Sequence, residues 1–451
     1  MAIIAPFKGL TYNFHKTQDF SSLVAPPYDV ISKEEQETYY KANPHNVIRL
    51  ILGKQKTGDS DWDNRYTRAA DFLKRWESEG ILTCANQPCI YITSMKYNPG
   101  NGDIQRTRWG IITLVRIEDQ GSEVILPHEK IFSAYKDDRL MLMRACTAQL
   151  SQIFGLYEDP DNTILNACKM ATSLPPQIAF DLEDGTEYQM WVLQNPSVFK
   201  QISDSMSKRP IFIADGHHRY EASRNFRDIM RARYGLRPAN RSYEYVMMYL
   251  SNMNDEGLTI LPSHRLIKNV PNFQLEPFLE KVGSKYNIEY FPFSGANILE
   301  ECAHLKKRLE EAGRLNTVIA FYMHKADRFY LFTLKPDARE QMGDDLHPSL
   351  KKLDVLALSR FILQRALGFS KEDLDDDEIF YYQSSIKTAV SQVESGDCQI
   401  AFLLNPTKKE QVKEIASNFL IMPRKSTYFY PKILTGLVFN KIDPYEIIQI
   451  P

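Results

Sequence analysis

The sequence predicts an α+β protein of mixed α/β type, and three observations carry that reading. Short β-rich runs alternate with helical stretches, without strict βαβ repetition. Apolar residues recur at helical spacing, as where Ile298, Cys302, Leu305 and Leu309 fall on one face. The 451 residues are 43% hydrophobic and 25% charged, an ordinary globular balance with length for about two to three domains.

The elements follow in order. "VAPPYDVISKEEQETYY" opens in a prolyl turn and runs into a helix, with Ser32 as N-cap and Glu35 as its capping-box partner. "NVIRLILG" (Asn46–Gly53) reads as a short buried strand. A helix spans about Tyr66–Glu79, and strands follow in "CIYITSMKY" and "TRWGIITLVRI". "DDRLMLMRACTAQLSQIF" begins as a helix capped by Asp137 or Asp138. Two β-rich runs flank Asp184-Gly185, a hairpin signal. Helix then continues to about Ser207. "PIFIA" is a core strand, "HRYEASRNFRDIMRARY" a helix and "YEYVMMYLSNM" a strand. In the last third "TVIAFYM" and "RFYLFTL" pair as strands, and "LDVLALSRFILQRALGF" is a helix with Gly368 near its C-cap. "CQIAFLLN", "KKEQVKEIASNF" and "TGLVFNKI" close the series as strand, helix and strand. A break near Asn269–Pro271 divides the chain into 1–268 and 269–451, with "MPRKSTYFYPK" folding back.

Several classes of protein are disfavoured. The net charge of −2 supplies no global field for nucleic acid or an anionic membrane. No run of about 18 apolar residues is present to cross a bilayer. The six cysteines are scattered, which suits a reducing cytoplasm better than a disulfide framework or a zinc ribbon.

The chemistry concentrates in "IFIADGHHRY" (Ile211–Tyr220). An apolar strand ends at Asp215, Gly216 follows, and a helix opens with His217, His218 and Arg219. The first amides of that helix and its dipole favour an anion. Gly216 lets a ligand approach the backbone, and Arg219 has the fork to hold a phosphate. The histidines can donate to phosphate oxygens or move a proton. Asp215 can orient a histidine, hold a metal through water or accept a proton. The bland alternative is a capping His, a solvated His and a surface ion pair. Four polar groups at the end of an apolar strand tilt the balance toward function.

Other stretches are candidates. In "ILPHEKIF", His128 is a substrate contact, and Glu129 is a general base or Mg²⁺ holder, or else a cap. His264 and Arg265 in "LPSHRLI" offer a second anion contact or satisfy a turn. Asp29 in "APPYDV" and Arg49 in "NPHNVIRL" line a pocket or seal the sheet. In "MPRKSTYFYPK", Lys425 and Ser426 can clasp a phosphate while the aromatic residues stack on a base. Arg224, Arg227, Arg231 and Arg233 read as a solvated helix face.

"IADGHHRYEA" resembles the signature box of the ParB/sulfiredoxin superfamily, whose equivalent segment binds nucleotide phosphates. With "PFKGLTYN", "APPYDVIS", "NPHNVIRL", "LPHEKIF", "DDRLMLMRA", "LPSHRLI" and "MPRKSTYFYPKILTGLVF", nearly the whole chain resembles a bacterial and archaeal family catalogued as domain of unknown function 1015. The resemblance implies a ParB/sulfiredoxin-like nucleotide-binding core with an added C-terminal α/β region. The DGHHR form of the box is nearest to kinases that phosphorylate free serine. The reading that follows is a phosphotransferase using ATP, ADP or CTP with Mg²⁺ on a small hydroxyl metabolite. The rival is a nucleotide-gated DNA-binding or regulatory protein without turnover. Histidine stands where sulfiredoxins need a cysteine, and no second recognition helix follows Tyr220, so both of those branches are disfavoured.

Overall fold

In a computed structural model, which describes residues 2–100, 104–130, 133–293 and 298–451, the chain forms two compact units. The first comprises Met1–Pro127, Ile131–Thr259 and Tyr430–Pro451, and the second His128–Lys130 and Ile260–Phe429. Both mix helices with sheets. Among the described residues no helix is long and apolar enough to cross a membrane.

The first unit is built on a nine-stranded sheet. Its path runs Ile125–Leu126, Ile211–Asp215, Ile153–Tyr157, Tyr245–Asn252, Arg106–Arg116, Ile90–Tyr97, Glu187–Leu193 and Ile178–Asp181, with Ile4–Ala5 also pairing on Arg106–Arg116. Most pairs are antiparallel. The exceptions are Ile211–Asp215 on Ile125–Leu126 and Tyr245–Asn252 on Ile153–Tyr157. Aliphatic and aromatic side chains from these strands, including Ile92, Ile111, Ile153, Ile213 and Leu250, form the core. The strand that ends at Asp215 therefore sits one place from a sheet edge.

The second unit holds a six-stranded antiparallel sheet. Its order is Tyr286–Pro292, Arg328–Leu334, Val318–Met323, Ile400–Leu404, His264–Ile267 and Phe380–Gln383. Cys302, Leu305 and Leu309 from the helix Ile298–Ala312 pack into its core, as their spacing requires. The helix around Leu358–Ala366 is wound as a π-helix, and Gly368 follows with φ 85°.

Four expectations are corrected. Asn46–Gly53 is not a strand but contains a short helix, Ile48–Ile51. Asn46 starts it by accepting from the Ile48 amide at 2.8 Å and donating to the Val24 carbonyl at 3.0 Å. Asp137 and Asp138 are not caps, because the helix already runs from Ser133 to Cys146. Asp138 instead binds Arg65, Arg139 and the Tyr66 hydroxyl. "TGLVFNKI" yields only the strand Asn440–Lys441. Gly436 turns the chain at φ 111°, so Thr435 and Phe439 bridge to separate segments at Ala25 and Leu10. Finally, Arg227 and Arg231 are not solvated. Arg227 is 3% exposed and holds Asp119 and the Ile117 carbonyl, while Arg231 grips the buried Glu244.

Candidate functional site

In the first unit the strand Ile211–Asp215 delivers its acid at the sheet's end. Ile211, Phe212 and Ile213 are buried, and the register against Ile153–Tyr157 shifts between Ile213 and Asp215. That bulge re-aims the last residue. Gly216 then takes φ 93°, and a Cβ there would meet the Arg219 Nε at 2.9 Å. Left-handed backbone and the close guanidinium both require glycine. The helix His217–Tyr234 begins at once, so its first-turn amides crown the turn.

The Asp215 carboxylate lies between two cations, Arg219 on one oxygen and Lys432 on the other. Arg219 donates its other terminal nitrogen to the Gln152 carbonyl at 2.5 Å. Its fork thus braces the turn. His217 is buried, and the half-buried His218 ring lies 5.3 Å from the Tyr135 ring. Arg139 stacks over Tyr28 at 3.8 Å and donates to the Ile51 carbonyl. Burial pushes the Tyr28 phenol well up, while Arg139 and Arg219 pull it back. Arg65 and Arg139 pair with Asp138, and Arg219 and Lys432 with Asp215. A cavity of about 40 Å³ beside Arg139, Ser151 and Arg219 holds no more than a water or so. Asp29 is exposed in the 3₁₀ turn Tyr28–Val30. Arg49 is committed elsewhere. It binds the Pro44 and Tyr40 carbonyls at 2.7 Å and lies over the Tyr40 ring, which closes the helix Lys33–Ala42.

The second unit gathers a different set. Met422 donates to the His128 carbonyl at 2.9 Å, laying "PHEK" beside "MPRKST". Glu129 accepts from the Lys425 amide at 3.2 Å, and His128 Nε2 lies 3.5 Å from the Thr427 hydroxyl. Ile131 and Phe132, the end of that stretch, lie outside the described residues. Arg265 is almost fully buried. It donates to the Ser263, Arg424 and Lys425 carbonyls and lies over the Tyr382 ring at 4.4 Å. Burial depresses its pKa, but the four-way grip makes it the clasp of the Pro423–Ser426 turn. Lys425 adopts φ 50° and sets its ammonium over the same ring, and Ser426 donates to the Pro423 carbonyl. His264 is fully buried. Its Nδ1 accepts from the Leu404 amide at 3.1 Å, and burial drives its pKa down to about 3.

The expected residues therefore form two groups. Asp215, Gly216, His217, His218 and Arg219 share one turn. His128, Glu129, Arg265, Lys425 and Ser426 share another cluster. Lys432 and Gln152 complete the first turn and were not picked out for it. Lys432 had a signal, being the last residue of the basic–aromatic stretch. Gln152 had none, since its contribution is a backbone carbonyl.

These features define a class: a mixed α/β protein whose strand–glycine–helix turn surrounds a carboxylate with cations. The chain belongs to the family described as "Protein of unknown function (DUF1015)", whose model matches residues 4–356. No curated protein matches. Among solved structures, the chain is similar to a conserved hypothetical protein from Pyrococcus furiosus, at 12% identity and TM-score 0.34 over 73% of this chain and 95% of that one. It is also similar to a free serine kinase in complex with AMP, at 11% identity and TM-score 0.35 over 74% and 93%. A third is SbnI with C-terminal truncation from Staphylococcus aureus, at 9% identity and TM-score 0.33 over 72% and 86%.

Proposed function

We propose that this protein is a nucleotide-binding phosphotransferase of ParB/sulfiredoxin-like type that acts on a small hydroxyl metabolite, such as free serine. One observation carries the reading: a helix starts directly after Gly216, beside a carboxylate held between Arg219 and Lys432. Phosphoryl transfer depends mainly on positioning and charge neutralisation. In this reading Gly216, His217, His218 and Lys432 receive the phosphates of ATP, ADP or CTP. Arg219 keeps the turn in shape through Asp215 and Gln152. The bond from the terminal phosphorus to the nucleotide breaks, a bond to the substrate oxygen forms, and the hydroxyl proton passes to a base. His218, half-exposed at the turn, is the proposed base. Asp29, exposed in the same unit, is a further substrate contact.

A resident Mg²⁺ does not fit this turn. Both Asp215 oxygens already face cations, and among the described residues no three His, Cys, Asp or Glu form a metal-holding group. No step here runs through a metal.

The test is calorimetric titration with ATP, ADP and CTP, followed by incubation with an amino-acid mixture and a search for phosphorylated product. His218→Ala and Lys432→Met should each weaken nucleotide binding about tenfold, the scale of one charge-assisted contact. Binding that neither His218→Ala nor Lys432→Met alters would remove the turn from the site. Binding without product would support the regulatory reading.

A further inference from the structure

The second unit contains a cavity of about 270 Å³ that none of the candidates above occupies. Arg314, Arg339, Lys352, Asp354, Asn405 and Lys408 line it. It lies at one end of paired strands: residue 317 leads into Val318–Met323, and Asn405 follows Ile400–Leu404. Four cations face one carboxyl. Lys352 alone among them has an ion-pair partner, Glu414 at 2.7 Å. Among the described residues no carboxylate stands within ion-pair reach of Arg314, Arg339 or Lys408. Arg339 donates to the Thr317 hydroxyl at 3.1 Å, and the Lys408 ammonium reaches the Arg314 carbonyl at 3.4 Å.

Concentrating like charges around one cavity is unfavourable unless something neutralises them. Lys408 is also the N-cap of the helix Lys409–Ser417, so amides of that helix add to the positive field. Asp354 shares Thr317 with Arg339, and burial lifts its carboxyl to about 6. Below that pH the protonated carboxyl can donate a hydrogen bond to an oxyanion. The volume lies just under the usual range for small-molecule sites, which suits a compact metabolite.

We propose that this cavity binds a small metabolite through a phosphate or carboxylate group, held by Arg314, Arg339 and Lys408. It shares no residue with the Asp215–Arg219 turn, so it goes beyond the phosphotransferase reading and stands or falls separately.

Titration calorimetry on the full chain with inorganic phosphate, glycerol phosphate and malonate tests it. At least one probe should bind in a single-site isotherm, and the tighter class identifies the anion. Arg314→Ala, at an exposed position that folding tolerates, should weaken that probe about tenfold, one charge-assisted contact. Arg339→Gln should weaken it more, with an unchanged circular dichroism spectrum. Silence from all three probes into the millimolar range overturns the proposal, as does an affinity that Arg314→Ala leaves untouched.

Discussion

Protonating His264 would put a charge on a ring with no access to solvent, beside the cationic Arg265. Its folded pKa, about 3, lies below the ordinary histidine value near 6.5. A depressed value means the unfolded chain takes up the proton first. The stability contribution is therefore complete above about pH 6.5 and is lost as pH falls toward 3, at about 1.4 kcal/mol per unit. His264→Asn keeps an acceptor for the Leu404 amide and cannot titrate. Urea midpoints of wild type and variant should diverge below pH 6.5, with wild type falling faster; parallel profiles would refute the argument. Asp354 has the opposite sign. Its pKa is raised from 3.8 to about 6, so its contribution is present below about pH 4 and disappears as pH rises through 6. Wild type should lose up to about 3 kcal/mol against Asp354→Asn over that interval. If the two midpoints keep a constant offset between pH 4 and 7, the carboxyl is not desolvated.

At the scale of elements, the helix Lys33–Ala42 buries no residue, so its termini carry most of its local stability. Ser32 accepts from the Glu35 amide at 3.1 Å, and Glu35 accepts from the Ser32 amide at 2.7 Å. Ser32→Ala should cost about 1 kcal/mol, seen as roughly fivefold faster amide exchange confined to this helix; unchanged exchange would show that tertiary contacts hold the helix instead. That capping box was legible because its chemistry is local. So were the hairpin at Asp184-Gly185 and the strand into Asp215, where apolar runs meet turn residues. "NVIRLILG" was not, because a short apolar run carries no period, and the deciding contacts are from Asn46 to carbonyls at Ser22 and Val24. Arg227 and Arg231 failed for the same reason. Their acids, Asp119 and Glu244, are brought near only by the fold.

Considered as a whole molecule, the first unit is assembled from three pieces of chain, and the last piece is the closing one. The sequence marked the candidate turn itself, Arg219 included, but the second cation on Asp215, Lys432, comes from this distant segment, which composition does not connect to it. Arg108 shows how much the segment supplies. It is fully buried on a central strand, and among the described residues its Nε and one terminal nitrogen have no hydrogen-bond partner. The other terminal nitrogen donates to the Pro431 carbonyl at 2.8 Å, and the guanidinium rests near the Phe154 and Tyr249 rings. Lys432 pairs with Asp215, and the Leu434 carbonyl accepts from Gln152. Removing 430–451 would leave a buried cation with its best acceptor gone and a carboxylate with half its compensation, each costing about 3 kcal/mol or more. That is comparable with the whole stability of a domain. A chain ending at Phe429 should therefore lose slow amide exchange in Ile153–Tyr157, Ile211–Asp215 and Tyr245–Asn252. Adding a peptide of residues 430–451 should restore that protection, because the missing partners are supplied by noncovalent contacts alone. Native protection in the truncated chain without the peptide would mean that Arg108 and Asp215 are satisfied some other way, and that the segment is not what completes the sheet.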